Sequence, residues 1–294
     1  TRNTTEGLNL VEHSIGLQKG DIVLTTDKEH NSNLLPWQIL KRKIGIEHRI
    51  VPSKEDGTFD LERFKEMVKG VKLVSMVWSS NLDGYTIPAE EVVKIAHENG
   101  ALVMLDGAQT VPHKEVSVKK LDVDFLAWSG HKMCGPTGTG ALYGKFELLE
   151  KMEPFLIGGD TVERTTYTDF VLLKPPEKFE AGLQNYAGMI GFGKACEYLK
   201  RIGMREIEKH ETELTKFLDE KIRGIKGVKI IGPSAELRGG VTSFNLEGMN
   251  FHQVAIMLDE LGNVMVRSGQ HCVHSWFNSR GIAGSVRASL YFYH

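Results

Sequence analysis

Residues 101–109 read Ala-Leu-Val-Met-Leu-Asp-Gly-Ala-Gln, and residues 125–132 read Phe-Leu-Ala-Trp-Ser-Gly-His-Lys. Each is an apolar run of strand length that delivers a chemically active side chain, first Asp106 and then Lys132. Continuous apolar runs of this kind belong to strands buried on both faces, as in a parallel sheet. The pattern extends outward in both directions. Ile22–Thr25, Arg49–Pro52, Leu73–Trp78, Ala101–Leu105, Phe125–Trp128 and Gly140–Tyr143 are the candidate strands. Between them lie helical patterns such as Leu61–Val68 and Ala89–Glu98, the second with Pro88 before its start and Asn99-Gly100 after its end. From Asp21 to Gly144 the sequence therefore predicts an α/β unit winding a mostly parallel sheet.

The texture changes after Tyr198. A long charged helix is expected over Met204–Ile222, then strands at Val228–Ile231 and Val241–Leu246 and a helix at Phe251–Leu261. Two further apolar runs follow, Val264–Val266 and Arg287–Phe292. This predicts a large domain over residues 1–196 and a smaller α+β domain over 197–294. No internal repeat or low-complexity tract interrupts either.

The 294 residues are 41% hydrophobic and 25% charged, the profile of an ordinary globular chain. Thirty-six basic against thirty-eight acidic residues leave a net charge of -2 and a pI near 6.6, so no global field favours nucleic acid or anionic lipid. Cys134, Cys196 and Cys272 lie far apart, which argues against a disulfide framework or a zinc site and suits a reducing cytoplasm. No apolar stretch approaches the roughly 20 residues that span a bilayer. The residues Thr1–Leu10 carry no signal-peptide pattern.

Asp106 and Lys132 carry the chemistry. Ligands of open α/β sheets bind at the carboxyl ends of the strands. A carboxylate there can pair with a pyridinium nitrogen and keep it protonated, while a nearby lysine can hold an aldehyde as a Schiff base. Those two roles point to pyridoxal 5'-phosphate (PLP). Alone, Lys132 would pass for a solvated charge in the glycine-rich turn that continues through Gly135-Pro136-Thr137-Gly138-Thr139-Gly140, and Asp106 for a helix N-cap. A cap does not explain Lys132. A phosphate group needs N–H groups at a helix start with hydroxyl or cationic donors. Thr4 and Thr5, just before the amphipathic run Leu8–Leu17, offer such a start, and Ser129 with His131 offers further donors.

The chain resembles the class V aminotransferase fold type of PLP-dependent transferases (fold type I), and within it the group II, SufS-like cysteine desulfurases. The resemblance runs almost end to end, through Thr4-Thr5-Glu6-Gly7-Leu8-Asn9-Leu10-Val11, Glu29–Trp37, Asp106-Gly107-Ala108-Gln109, Ser129-Gly130-His131-Lys132, Phe179-Glu180-Ala181-Gly182 and Arg267-Ser268-Gly269-Gln270-His271-Cys272. It implies that Lys132 is the Schiff-base lysine and Asp106 the pyridinium partner. Gln109 would lie near the ring hydroxyl, and Thr4, Thr5, Ser129 and His131 around the phosphate. His30 would stack on the ring, although a histidine standing alone there would be read as part of a helix-capping turn. Asn81 would touch cofactor and substrate, and Arg287 would clamp the substrate carboxylate through two parallel hydrogen bonds.

Cys272 matches the family's nucleophilic cysteine. Its neighbours are Gln270, His271, Val273 and His274 rather than an apolar run, which suits a loop where an imidazole favours the thiolate. The resemblance implies conversion of L-cysteine to L-alanine with a persulfide on Cys272. It further implies a homodimer that supplies sulfur to an acceptor protein for iron–sulfur cluster or thio-cofactor assembly. Selenocysteine lyase, another class V PLP enzyme without a nucleophilic cysteine, and a catalytically silent scaffold are the rival readings. Three departures stand out. Leu183-Gln184 replaces the usual Thr-Pro after Phe-Glu-Ala-Gly, Asn31 and Gln270 stand where histidines are common, and the family's N-terminal segment is absent from the sequence.

Overall fold

The computed structural model describes residues 1–294. Helix α1 (Thr4–Ser14) is followed by strand β1 (Ile22–Thr26), α2 (Asn31–Ile44), β2 (Glu47–Val51), α3 (Leu61–Met67), β3 (Leu73–Val77), α4 (Ala89–Glu98), β4 (Leu102–Asp106), α5 (Val118–Leu121), β5 (Phe125–Ser129) and β6 (Gly140–Gly144). The six strands form one sheet in the order β2-β1-β3-β4-β5-β6, parallel except for the edge pairing of β5 with β6. All five residues of β3 are buried, as both faces of a covered parallel sheet require. Strand alternation sorts the side chains. Val74, Met76, Val103, Leu105 and Leu126 pack with Phe64, Val92, Val93 and Ala96 of α3 and α4 on one face. Leu73, Met104, Phe125 and Ala127 meet Leu8, Val11 and Trp37 of α1 and α2 on the other. Each such side chain removed from water contributes about 1.5–3 kcal/mol.

Beyond this sheet come α6 (Phe146–Lys151), a hairpin of β7 (Val162–Thr165) and β8 (Phe170–Leu172), α7 (Tyr186–Ile202) and α8 (Met204–Arg223). The chain then forms β9 (Val228–Ile231), β10 (Val241–Leu246), α9 (Phe251–Gly262), β11 (Arg267–Gly269), α10 (His274–Ser279) and β12 (Ser285–Ser289). These last four strands make an antiparallel sheet in the order β11-β12-β10-β9. The division expected after residue 196 falls inside α7.

Local chemistry shifts several expected boundaries. Asn3, not Thr4 or Thr5, caps α1: its side chain accepts from Glu6 N–H at 2.9 Å, so both threonines sit within the first turn. The helix stops at Ser14 because Gly16 adopts φ 76°, which cuts the amphipathic run short of Leu17. Val264–Val266 is not a strand. Asn263 ends α9 in the left-handed conformation, and Val264 N–H bonds back to Leu258 O at 3.0 Å, so the apolar run serves to close the helix. The strand begins at Arg267. Arg287–Phe292 likewise shifts to Ser285–Ser289, because Tyr291 turns inward to donate to Pro112 O at 2.9 Å. The hairpin β7–β8 and helices α2, α6 and α10 carry too little periodicity to have been expected.

The two sheets meet along a polar seam. Tyr85 bridges Arg238, His113 Nδ1 lies 2.9 Å from Glu211 Oε2 of α8, and Ser243 Oγ of β10 donates to Leu82 O. Buried ion pairs Lys28–Asp83 and Arg238–Asp219 flank it. No helix is long and apolar enough to cross a membrane.

Candidate active site

A cleft of about 290 Å³ opens at the carboxyl ends of β3, β4 and β5, where the seam meets the N-terminus of α1. Thr4, Thr5, His30, Asn81, Asp106, Gln109, Ser129, His131, Lys132 and Arg287 all line it. These residues come from six different stretches of chain, and the sheet topology brings them together. β4 and β5 are parallel neighbours with Asp106 opposite Ala127, so Asp106 and the turn carrying Lys132 leave the sheet side by side.

Asp106 is 3% exposed, and its Oδ1 accepts from Ala108 N–H at 2.9 Å in an Asx turn rather than a helix cap. Lys132 follows β5 in a short 3₁₀ turn and makes no hydrogen bond or ion pair with the protein. Burial pushes its ammonium down from the ordinary range, Asp106 opposes that shift, and Arg287 and Arg267 reinforce it. A lysine so placed is closer to the neutral amine that attacks a carbonyl.

At the other end, Thr4 Oγ1 and Thr4 N–H both meet Ser129 Oγ, at 2.7 and 2.9 Å, and Thr5 Oγ1 meets Ser32 Oγ at 2.8 Å. Hydroxyls and free N–H groups in the first turn of a helix make an anion site. His131 lines the same end, its ring exposed. His30 caps α2: its Nδ1 accepts from Ser32 N–H at 3.1 Å while the ring faces the cleft, so the capping and the site roles coincide. Burial holds the imidazole below its usual range, Asp106 opposes that shift, and Lys132, Arg267 and Arg287 reinforce it, which favours the neutral ring.

Arg287 on β12 donates through NH1 to Asn81 O at 3.0 Å and keeps a buried, unpartnered Nε. Burial and Arg267 lower it to about 10. Asn81 Nδ2 donates to His271 O at 2.6 Å, and its Oδ1 is buried without a partner. Arg267, which no motif singled out by itself, lines the cleft as the cross-strand partner of Arg287. Its place at the head of the segment ending in Cys272 was the available signal.

Cys272 is not among the residues that line the cleft; it has φ 61° and lies behind Arg267, whose Nη2 is 3.5 Å from its Sγ. The expected imidazole partner is not there. His271 is 2% exposed, its Nε2 lies 2.8 Å from Ser285 Oγ, and burial lowers it to about 4, so the ring stays neutral. His274 meets Asn31 Nδ2 instead, at 2.9 Å. The cation near the thiol is a guanidinium because two successive left-handed residues, His271 and Cys272, swing adjacent side chains to different sides. Leu183 lies outside the cleft, 85% exposed.

The family model for class V aminotransferases matches residues 1–294. The chain belongs to the class V aminotransferase family. It is 42% identical to a cysteine desulfurase of Haloferax volcanii over 100% of its own length and 70% of the relative's. It is also 42% identical to a probable cysteine desulfurase of Synechocystis, covering 71% of that protein. Among solved structures it superposes on the apo cysteine desulfurase of Thermococcus onnurineus with a TM-score of 0.96 at 42% identity, covering 100% of this chain and 74% of that one. The Escherichia coli cysteine desulfurase CsdA gives 0.94 at 32% identity, with 99% and 73% covered.

Class V enzymes use PLP, and the cleft suits it. A phosphate, a protonable ring nitrogen and an aldehyde need an anion site, a carboxylate and an unengaged amine. The first turn of α1, Asp106 and Lys132 offer these, and the unpartnered Asn81 Oδ1 and Arg287 Nε leave polar atoms free for a further ligand.

Proposed function

We propose that the chain is a PLP-dependent cysteine desulfurase, converting L-cysteine to L-alanine and leaving the sulfur as a persulfide on Cys272. The single observation that carries this reading is the convergence on one cleft of Lys132, Asp106, Arg287 and Arg267, with the Cys272 thiol 3.5 Å from the Arg267 guanidinium. Lys132 would anchor the cofactor, Asp106 would hold its ring nitrogen, Gln109 its ring hydroxyl, and Thr4, Thr5, Ser129 and His131 its phosphate. His30 would cover the ring. When bound, PLP supplies an electron sink for bonds broken at the substrate's α-carbon and β-carbon.

The protein's own groups do the rest. Arg287 binds the substrate carboxylate, recovering the hydrogen bonds that its buried Nε lacks. Asn81 Oδ1 is free to accept from the substrate. Lys132, released from its anchoring role by the substrate amine, takes the α-proton as a base and returns it on the way to alanine. Cys272 attacks the substrate sulfur, with the guanidinium of Arg267 3.5 Å from its Sγ to hold the side chain in place. The Cβ–S bond breaks, the new S–S bond forms on Cys272, and alanine leaves, so free cysteine plus thiol balances alanine plus persulfide. A sulfur-acceptor protein, in iron–sulfur cluster or thio-cofactor assembly, would then take the persulfide sulfur. A SufS-like, homodimeric, cytoplasmic enzyme completes the proposal.

Alanine release from L-cysteine, measured with a thiol reductant present, tests it. The parent protein should turn over, and Cys272→Ala should release alanine at a small fraction of that rate and carry no persulfide by mass. Equal rates from the two would remove Cys272 from the reaction. Preference for selenocysteine by orders of magnitude would reassign the substrate.

A further inference from the structure

Glu29 takes no part in the steps above, yet its buried carboxylate ties three elements together. It is 2% exposed. It accepts from Thr26 Oγ1 at 2.6 Å, Thr26 N–H at 3.1 Å, Asn33 Nδ2 at 2.7 Å and Val77 N–H at 2.9 and 3.0 Å. Thr26 ends β1, Val77 ends β3 and Asn33 lies in the first turn of α2. Asn33 Oδ1 in turn accepts from Ser75 Oγ at 2.6 Å and Trp37 Nε1 at 3.4 Å. No cation pairs with this carboxylate. Burial outweighs the donors from Thr26, Asn33 and Val77, which pull the other way, and leaves the carboxyl raised to about 7.

The turn from Glu29 to Asn33 is what this network holds still. Three consecutive residues of it reach the cleft or the segment carrying Cys272. The His30 ring lines it, Asn31 N–H donates to Cys272 O at 2.8 Å, and Ser32 Oγ meets Thr5 Oγ1 of α1 at 2.8 Å. We propose that Glu29 is a positioning residue that pins this turn to the ends of β1 and β3, and so sets His30, the Cys272 backbone and the start of α1 in one register. The proposal rests on the roles given above to Cys272 and His30. An apolar or amide side chain of the same shape would leave donors of three elements competing for fewer acceptors.

The test compares the PLP-loaded chain with its Glu29→Gln variant in a Cys134→Ser, Cys196→Ser background, because both of those thiols are exposed and would react. Cys272 alkylation by iodoacetamide is read alongside alanine release. Glu29→Gln should keep the visible absorbance of the cofactor. It should change the alkylation rate about threefold or more and lower kcat about tenfold or more with KM within about twofold, the order expected when a reacting group drifts from a held geometry. Thr26→Val, which removes one donor, should shift both in the same direction by less. Phe64→Leu, buried on the opposite face of the sheet, serves as a control that lowers Tm without moving either readout.

If Glu29→Gln lowers Tm yet alkylates and turns over as the parent does, the residue is structural only and the proposal fails. Should Glu29→Gln not fold, Thr26→Val decides on the same two readouts. A parent that releases no alanine would refute the desulfurase reading, while the alkylation comparison would still settle the role of Glu29.

Discussion

Arg287→Lys isolates what a guanidinium contributes at the substrate end of the cleft. Arg267 and Arg287 are direct partners across β11 and β12, and both line the cleft. Like charges placed opposite each other in a sheet repel. Burial first, and the repulsion from Arg267 second, lower Arg287 to about 10. At 1.36 kcal/mol per pKa unit that lowering corresponds to at most about 3 kcal/mol, and solvent entering through the cleft reduces it. A bound carboxylate relieves it and satisfies the orphaned Nε. Lysine keeps the charge but loses the fork, forfeiting one charge-assisted hydrogen bond of about 1.5–3 kcal/mol. Initial rates of alanine release should therefore show kcat/KM lower by about 10-fold to 100-fold, most of it in KM. Arg287→Leu should bind cysteine worse still, and its Tm should move little, because it removes one of two repelling charges together with the hydrogen bond to Asn81 O. A KM for Arg287→Lys within about twofold of the parent would refute the carboxylate assignment.

Lys132→Ala should fold but lose the visible absorbance that PLP acquires on the parent, and a persisting band would move the anchor elsewhere. Gly140→Ala should weaken PLP binding, measured by fluorescence titration, because the new Cβ would sit 2.7 Å from Asn3 Cα and from Trp128 O and push the start of α1 off the sheet. Its cost to stability should be about 1–3 kcal/mol. Stability should also fall on acidification. His271 titrates near 6.5 unfolded and at about 4 folded, so the stability present above pH 6.5 is lost as pH drops through that window, by up to about 3 kcal/mol, and levels off below it. Denaturant midpoints against pH should show a shallower loss in His271→Asn, and an unchanged slope would contradict the neutral, buried ring.

The parallel sheet was legible because its strands are buried on both faces, and β3, with five buried residues in five, has Ser75 as its only polar residue. Asp106 and Lys132 were legible for the same reason, since each ends such a run. Periodicity carries no information about residues gathered from short elements. β11 has three residues, so Arg267 lay below any pattern, and the apolar run just before it proved to be the cap of α9. The surroundings of Cys272 misled in a different way. Neighbours in sequence were taken as neighbours in space, whereas left-handed backbone at His271 and Cys272 turns the histidine into the core beside Phe277 and leaves the thiol to Arg267. Resemblance supplied Arg287, which on its own reads as an edge-strand charge.

The division of labour between the two sheets follows from their strand directions. Parallel strands all end on one side, so the first sheet can line up Asp106, the Lys132 turn and the Glu29–Asn33 turn along a single edge, held by a core that tolerates little drift. The antiparallel sheet has no such edge, and it reaches the cleft through register instead. Arg267 opposite Arg287, and Arg287 opposite Ser243, put both guanidinium groups on one face toward the seam. A slip of one residue in either pairing would turn an arginine to the far face and leave its partner alone with the thiol. The hydrogen bonds from Arg287 to Asn81 O and from Asn81 to His271 O hold that register against the first sheet, so the substrate end depends on the seam as much as on the arginines.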